Sequence, residues 1–240
     1  MDAAGPADLL VPVKALHLAK SRLRGAADGG LGDPGAHARL TLAMAKDTIA
    51  AATAATLVGR VVAVSPDPEV LAVLSADGVP VLLDRPDLGL NAALERGAAV
   101  LRDHRGPARV ALGALQADLP ALRADELDAA LELAARVFAG RQATSAFCPD
   151  AAGVGTTLLL CAPGAALTAR FGSASAAAHE EAGGARLLGP APWDWPGLRR
   201  DVDTPADLDA ASALGLGPAT AAVLSGSHRS PVLRSTVADQ

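Results

Sequence analysis

Short apolar runs alternate with amphipathic stretches along most of the 240-residue chain. Compact runs rich in Val, Leu and Ala indicate buried strands, whereas apolar residues spaced three or four apart indicate helices that pack on a core. The predicted strands are 9–13, 60–65, 79–83, 108–115, 143–147, 157–161 and 186–188. The predicted helices are 37–55, 66–76, 91–101, 124–139, 165–170, 173–182 and 207–214.

The alternation of strands and helices predicts an α/β fold, with a mostly parallel sheet covered by helices on both faces. The consecutive strands 143–147 and 157–161 resemble a hairpin and predict an antiparallel addition to that sheet. We expect residues 1–224 to form a single domain. Residues 225–240 are polar and unpatterned, so we expect them to form a disordered tail.

Composition narrows the function classes. The formal net charge is −5 and Tyr is absent, which argues against a nucleic-acid-binding protein with a basic face or an aromatic platform. The only cysteines, Cys148 and Cys161, form no zinc-binding pattern and are expected to be buried free thiols. No apolar run approaches the roughly 20 residues that a membrane span needs, and no signal peptide is evident, so we expect a cytoplasmic protein.

Three cations follow the first predicted strand. Lys14, Lys20 and Arg22 fall on a long loop, and ligands gather at the carboxyl ends of strands in open α/β sheets. These side chains are able to neutralise a triphosphate, and an arginine can contact phosphate oxygens with two donors. The alternative is a solvated basic loop. The glycine patterns of Walker A and of dinucleotide-binding loops are both missing here.

Carboxylates follow the fourth predicted strand and precede the last predicted helix. Asp118 lies on a turn, and Asp201 and Asp203 point the same way if their segment is extended. Such oxygens suit Mg²⁺, although Asp118 taken alone is better explained as the cap of a turn or of the next helix. Asp203 or Thr204 can cap the last helix. Either Asp201 or Asp203 could supply a second carboxylate to a metal site, and we favour Asp201 for the metal and Asp203 or Thr204 for the cap.

Two glycine-bearing segments are candidates for an anion site. Residues 150–157 contain Gly153 and Gly155, which let backbone N–H groups approach an anion closely. Residues 170–175 precede a predicted helix, whose N-terminus favours phosphate or carboxylate. The alternatives are a plain glycine turn and a serine cap. Asn91 is either a helix cap or part of a loop that contacts the base or ribose of a nucleotide.

Seven short motifs occur in a fixed order. They are 11–14 (VPVK) with 20–23 (KSRL), 47–48 (DT), 89–93 (GLNAA), 117–120 (ADLP), 153–157 (GVGTT), 170–172 (RFG) with Ser175, and 201–205 (DVDTP). Together they resemble the 2-phospho-L-lactate/phosphoenolpyruvate guanylyltransferases of coenzyme F420 biosynthesis, over about residues 10–224. The alanine-rich composition and the ending 217–220 (GPAT) are similar to the actinobacterial branch.

The resemblance implies the three-layer α/β/α fold of nucleotide-diphospho-sugar transferases, with GTP and Mg²⁺ as substrate and cofactor. The actinobacterial branch transfers GMP to phosphoenolpyruvate, archaeal relatives use 2-phospho-L-lactate, and some bacterial ones use 3-phospho-D-glycerate. A downstream coenzyme F420 transferase is the implied partner for the labile product. The rival hypotheses are a nucleotidyltransferase with another acceptor and a non-catalytic GTP-binding protein on the same fold.

The resemblance also implies roles for individual residues. Asp118 and Asp201 match the metal-binding aspartates, and Thr157, Gly172 and Ser175 match the phosphoenolpyruvate contacts. Thr156 remains the alternative to Thr157.

The remaining candidates are assigned to the nucleotide. We expect Lys14, Lys20 and Arg22 to stabilise the triphosphate and the leaving diphosphate, and Asn91 to contact the nucleotide. No general base is needed, because the attacking phosphate is already an anion.

Overall fold

The structure, a computed structural model, describes residues 6–15, 20–105, 110–189 and 194–227. Its strands are β1 (Ala7–Pro12), β2 (Val58–Ser65), β3 (Val81–Leu83), β4 (Ala111–Leu115), β5 (Ser145–Pro149), β6 (Thr156–Cys161) and β7 (Ala185–Arg186). They form one sheet in the order β3-β2-β1-β4-β6-β5-β7. β6 is antiparallel to both of its neighbours and the other pairs are parallel, which confirms the predicted mixed sheet.

The described helices are α1 (Pro34–Ala54), α2 (Pro68–Ala76), α3 (Leu90–Arg105), α4 (Ala124–Ala139), α5 (Ser175–Glu181), α6 (Pro196–Arg199), α7 (Pro205–Leu214) and α8 (Pro218–Ser227). A short 3₁₀ turn, Ser21–Leu23, interrupts the loop after β1. None of these helices is both long and apolar enough to span a membrane.

Helices cover both faces of the sheet. Leu9 and Val11 of β1 pack into one core with α1, α2 and α4, while Leu10 points the other way, into a core with α3 and α5. This alternation is the period of two that a strand imposes. Both cysteines are free and buried, as expected.

The segment predicted as a helix at 165–170 is irregular, so that prediction was wrong. Side chains from α3 and α5 take up its backbone N–H groups. Glu95 accepts from Ala169 at 3.1 Å and His179 accepts from Arg170 at 3.0 Å. Because these donors have tertiary partners, the local alanine-rich preference for a helix is overridden.

The chain beyond α7 is anchored by Asp47 of α1. Its carboxylate accepts hydrogen bonds from the N–H groups of Ala219 and Thr220 at 2.9 and 2.7 Å, at the start of α8. The sequence prediction missed this helix, which continues through Ser227. The remainder of the predicted tail, 228–240, lies outside the described residues.

Candidate active site

A cavity of about 600 Å³ opens where β1 and β4 end and β6 begins. Because β6 runs antiparallel to β4, its first residue lies at the edge of the sheet where β4 ends. All but two of the predicted site residues line this cavity, namely Lys14, Lys20, Arg22, Asp118, Gly172, Ser175 and Asp201. Asn91 and Thr157 do not. The cavity therefore combines cations, carboxylates and a loop that precedes a helix.

Two separate stretches of chain bring the carboxylates together. Asp118 follows β4, and its carbonyl accepts a hydrogen bond from the backbone of Val202 at 3.1 Å. This bond holds Asp201 and Asp203 beside the Asp118 turn. Thr204 caps α7 through a reciprocal pair of bonds with Asp207, as one of the two predicted alternatives required. The side chain of Asp203 is thereby left for the cavity, and it is a candidate that we did not assign to the site from the sequence.

Burial, and next the charge of Asp118, raises the pKa of Asp201 to about 7, although Lys20 opposes the increase. Asp150 and Asp203 add smaller increases. Several carboxylates thus share a partly desolvated space, where like charges and burial both disfavour ionisation. A cation at this place would favour the ionised form.

Lys20 and Arg22 form ion pairs with these carboxylates. The ammonium of Lys20 lies between Asp118 and Asp203, and the guanidinium of Arg22 lies 3.2 Å from Asp203. Burial alone would lower the pKa of Lys20, but the ion pairs with both aspartates raise it above the ordinary lysine value. Both side chains line the cavity, but the sequence pattern did not indicate that they form ion pairs with carboxylates. A role for them on a triphosphate stays a prediction.

The carboxylates of Asp118 and Asp201, here called the carboxylate pair, have one feature that suits a hard cation. Oδ1 of Asp118 is buried and has no hydrogen-bond partner among the described residues, while Oδ2 pairs with Lys20. Within the described part of the chain, no group of three or more His, Cys, Asp or Glu residues is arranged to hold a metal ion. The described residues thus offer the carboxylates of Asp118 and Asp201, with Asp203 beside them, rather than a complete cage. Such a partial set is typical of Mg²⁺ sites in which substrate phosphates and water complete the shell.

The glycine loop between β5 and β6 differs from the predicted anion cradle. The carboxylate of Asp150 accepts hydrogen bonds from the N–H groups of Val154 and Gly155 at 2.9 and 2.8 Å. A Cβ on Gly155 would lie 2.5 Å from that carboxylate, so glycine is needed for the close approach. These two donors are therefore satisfied within the loop. The prediction failed because a side chain of the same loop already supplies the anion.

Thr156 and Thr157 point to opposite sides of the sheet, as successive strand residues must. Thr156 lines the cavity, whereas the hydroxyl of Thr157 is buried and directed to the carbonyl of Cys148 at 3.4 Å. Side-chain direction thus favours Thr156, the alternative that the sequence left open, over Thr157.

Asn91 is neither a helix cap nor a lining residue. α3 begins one residue earlier, and the Asn91 amide accepts from the N–H of Phe171 at 2.8 Å and donates to its carbonyl at 3.0 Å. This pair of bonds holds the segment that leads to Gly172, which lines the cavity. Asn91 therefore contacts the loop that the resemblance assigned to the acid substrate, and its predicted contact with the nucleotide stays a prediction.

The loop 170–175 continues into α5, which begins at Ser175. The residue before it, Ala174, has a left-handed backbone (φ +57°), and the helix has no side-chain cap, so the alternative of a serine cap is wrong. Gly172 also has positive φ (+143°), with no atom near the position of a Cβ. Gly172 and Ser175 lie on the cavity wall as the sequence predicted, although no contact to a substrate is tested.

His179 of α5 was not predicted as a site residue, because isolated histidines carry no pattern. Its Nδ1 lies 3.0 Å from the hydroxyl of Thr156, and its Nε2 lies 3.0 Å from the backbone nitrogen of Arg170. Burial, with a smaller contribution from the charge of Arg170, lowers the pKa of His179 to about 4, although a backbone hydrogen bond with Ser175 opposes the decrease. The imidazole is therefore neutral at pH 7.

The sheet order and the helices on both of its faces define a three-layer α/β/α fold. The fold is shared with the crystal structure of a protein from Desulfovibrio desulfuricans G20 that is assigned to the nucleotide-diphospho-sugar transferases. The two are 16% identical, with a TM-score of 0.61, over 93% of this chain and 98% of the other.

The family follows from the sequence comparison. The family model described as guanylyl transferase CofC like matches residues 7–225, and the chain belongs to that family. A relative from Geodermatophilus obscurus is 47% identical over 92% of this chain and 95% of its own. One from Streptomyces coelicolor is 50% identical over 90% and 94%. Both relatives are named phosphoenolpyruvate guanylyltransferase. The fold and family that the motifs suggested are thus confirmed.

Proposed function

We propose that this chain transfers GMP from GTP to phosphoenolpyruvate, giving enolpyruvyl-diphospho-5′-guanosine and diphosphate. The observation that carries the proposal is one cavity in which cations, a carboxylate pair and the loop 170–175 meet. The names of relatives that match about nine-tenths of the chain support the same substrates. We also propose that the protein acts in the cytoplasm.

The reaction makes few covalent demands on the protein. An oxygen of the phosphoenolpyruvate phosphate forms a bond to the α-phosphorus of GTP, and the bond from that phosphorus to the bridging oxygen of the β-phosphate breaks. The electron pair leaves with diphosphate. Since the nucleophile is already an anion, no general base is needed. Positioning and charge neutralisation therefore account for most of the catalysis.

The cationic side of the cavity is assigned to the nucleotide. Lys14 is exposed on the cavity wall and, with Lys20 and Arg22, would neutralise the triphosphate and the diphosphate that leaves. Because Lys20 and Arg22 are paired with aspartates, part of their positive charge is already neutralised before the nucleotide binds.

The carboxylate pair is assigned to Mg²⁺. Asp118 and Asp201 would hold the ion, and its charge, when it is bound, would stabilise the phosphate oxygens of both substrates. The unpartnered oxygen of Asp118 and the raised pKa of Asp201 both favour an added cation.

The part of the cavity formed by the loop 170–175 and the start of β6 is assigned to the acid. Gly172 and Ser175 would contact phosphoenolpyruvate, with Thr156 taking the place that the sequence gave to Thr157. Asn91 is reassigned from the nucleotide to holding this loop. The other candidate acids, 2-phospho-L-lactate and 3-phospho-D-glycerate, differ from phosphoenolpyruvate by a few atoms. The assay that follows distinguishes among the three.

A coupled assay tests the proposal. Purified protein is incubated with Mg²⁺, GTP and each acid in turn, with the downstream coenzyme F420 transferase and its deazaflavin acceptor present to consume the labile product. Mass spectrometry then identifies the product. We expect a dehydro-coenzyme with phosphoenolpyruvate. No product with any acid, from folded protein that binds GTP, would favour the non-catalytic hypothesis or another acceptor.

A further inference from the structure

His179 lies behind the cavity wall rather than on it. The side chain is buried, with 2% of the residue exposed. Its ring packs against Phe147 with centroids 5.7 Å apart and edge-on against Phe171 with centroids 5.4 Å apart. Both ring nitrogens have partners at 3.0 Å, and each partner belongs to a segment that borders the cavity.

The backbone N–H that contacts Nε2 determines which ring nitrogen of His179 carries the proton. The partner of Nε2 is the backbone N–H of Arg170, which can only donate. Nε2 must therefore be the unprotonated nitrogen that accepts. A neutral imidazole carries its proton on the other nitrogen, so Nδ1–H faces the hydroxyl oxygen of Thr156 and cannot accept from it. The ring also forms a hydrogen bond with the backbone of Ser175, one turn earlier in α5.

The orientation of the Thr156 hydroxyl follows in turn. Because Nδ1–H cannot accept from the hydroxyl, the hydroxyl proton is free to point elsewhere, and Thr156 lines the cavity. With the opposite tautomer, the hydroxyl would donate to Nδ1 and would offer the cavity only lone pairs. Lone pairs repel an anion, whereas an O–H donor binds one.

We propose that His179 is a positioning residue that makes Thr156 a hydrogen-bond donor to an anionic oxygen of the acid substrate. The same imidazole accepts a hydrogen bond from the backbone N–H of Arg170. The next residue, Phe171, forms two hydrogen bonds with the side chain of Asn91 in α3. One buried ring thus couples the loop 170–175 to the first residue of β6. This inference rests on the proposed function, because it takes a phosphorylated carboxylic acid as the occupant.

Steady-state kinetics of four variants test the coupling. His179→Phe keeps a ring between Phe147 and Phe171 but loses its hydrogen bonds, and Thr156→Val loses the hydroxyl. We expect each to raise the KM for phosphoenolpyruvate about tenfold, as for one lost hydrogen bond to a charged group, with the KM for GTP little changed. In the double variant the two fold-changes should combine to less than their product, because Thr156→Val already removes the hydroxyl that His179 orients, and Thr156→Ser should restore most of the affinity.

His104→Phe is the matched control for losing an imidazole, since His104 lies on the exposed side of α3 and contacts its own helix. Additive effects in the double variant would overturn the proposal. So would an unchanged KM for phosphoenolpyruvate in folded His179→Phe, or a larger effect of Thr157→Val than of Thr156→Val.

A second measurement needs no turnover. Long-range ¹⁵N–¹H spectra of labelled protein at pH 7 report the tautomer of each histidine, and His179→Phe identifies the signals that belong to His179. We expect a neutral ring protonated at Nδ1, and a proton on Nε2 would overturn the inference. A wild-type protein that makes no product with any acid would overturn the proposed function, and with it the assignment of Thr156 to the acid. Turnover by the wild type with an unmoved KM in the variants would overturn only this inference.

Discussion

The hydroxyl oxygen of Thr48 in α1 lies 3.1 Å from the backbone nitrogen of Leu119 and accepts its hydrogen bond. The same hydroxyl donates to the carbonyls of Ala117 and Met44, at 3.2 and 2.9 Å, and shares one proton between them. Thr48 is fully buried. Its side chain therefore holds the backbone on both sides of Asp118, and this contact gives a physical role to half of the 47–48 motif.

Replacing Thr48 with Val should damage activity and stability together. The substitution keeps the shape but leaves the buried N–H of Leu119 without a partner, which costs about 1–3 kcal/mol of unfolding free energy. Because the turn that carries Asp118 loosens, kcat should fall about tenfold. Urea unfolding and steady-state kinetics measure the two effects, and Thr48→Ser should recover both.

Thr53→Val is the matched control on the same helix, since among the described residues its hydroxyl bonds to the carbonyl of Ile49, one turn back, and not to the Asp118 turn. If Thr48→Val proves no more harmful than Thr53→Val, the contact to the Asp118 turn has no functional weight.

Asp118→Asn should abolish most turnover while the protein stays folded. The amide keeps the volume of the carboxylate, but it removes one of the two charges assigned to the cation and the ion pair with Lys20. We expect kcat to fall by about 10²–10³, as for the loss of one positioned electrostatic contact. Mg²⁺ with GTP should also no longer raise the Tm. Asp125→Asn, an exposed aspartate at the start of α4 paired with Arg123, is the control. Full activity of Asp118→Asn would end the metal assignment.

Local patterns predicted local structure well. The bounds of α4 match those read from its apolar spacing, because the whole helix lies against the core on one stripe. The segment 165–170 failed for the opposite reason, since Glu95 and His179 take up its N–H groups from elsewhere in the fold.

In the candidate site, too, local sequence patterns were informative whereas long-range contacts could not be predicted. Residue types at strand ends predicted which side chains line the cavity, because the carboxyl ends of parallel strands share an edge. Ion pairs between residues that are far apart in the sequence, such as Lys20 with Asp118 and Asp203, leave no recognisable pattern in the sequence. The contact between His179 and Thr156 likewise arises only from packing.

Gly217→Ala should destabilise the junction between α1 and α8. A Cβ on Gly217 would lie 2.3–2.6 Å from atoms of the Asp47 side chain, which is buried and holds the first turn of α8. Displacing that carboxylate should cost about 1–3 kcal/mol, the range for inserting an extra carbon into a packed site. Gly226→Ala, inside α8, places a Cβ with no atom within 4 Å and should be neutral or stabilising by up to about 1 kcal/mol. Equal denaturation midpoints for the two variants would contradict this account of Gly217.

Acid should weaken the fold through His179. Its pKa is lowered to about 4, against about 6.5 in an unfolded chain, so between these values the unfolded state binds more protons. Stability from this group is complete above pH 6.5 and is lost as the pH falls toward 4, by about 3 kcal/mol in all.

The raised pKa of Asp201 acts oppositely, because the folded state then holds the extra proton and stability falls as the pH rises toward 7. The difference between wild type and His179→Phe cancels that contribution. Urea unfolding from pH 4 to 7 should therefore show a stability difference that is largest at pH 7 and shrinks on acidification. A difference that does not change with pH would mean that His179 is as easily protonated in the folded protein as in the unfolded chain.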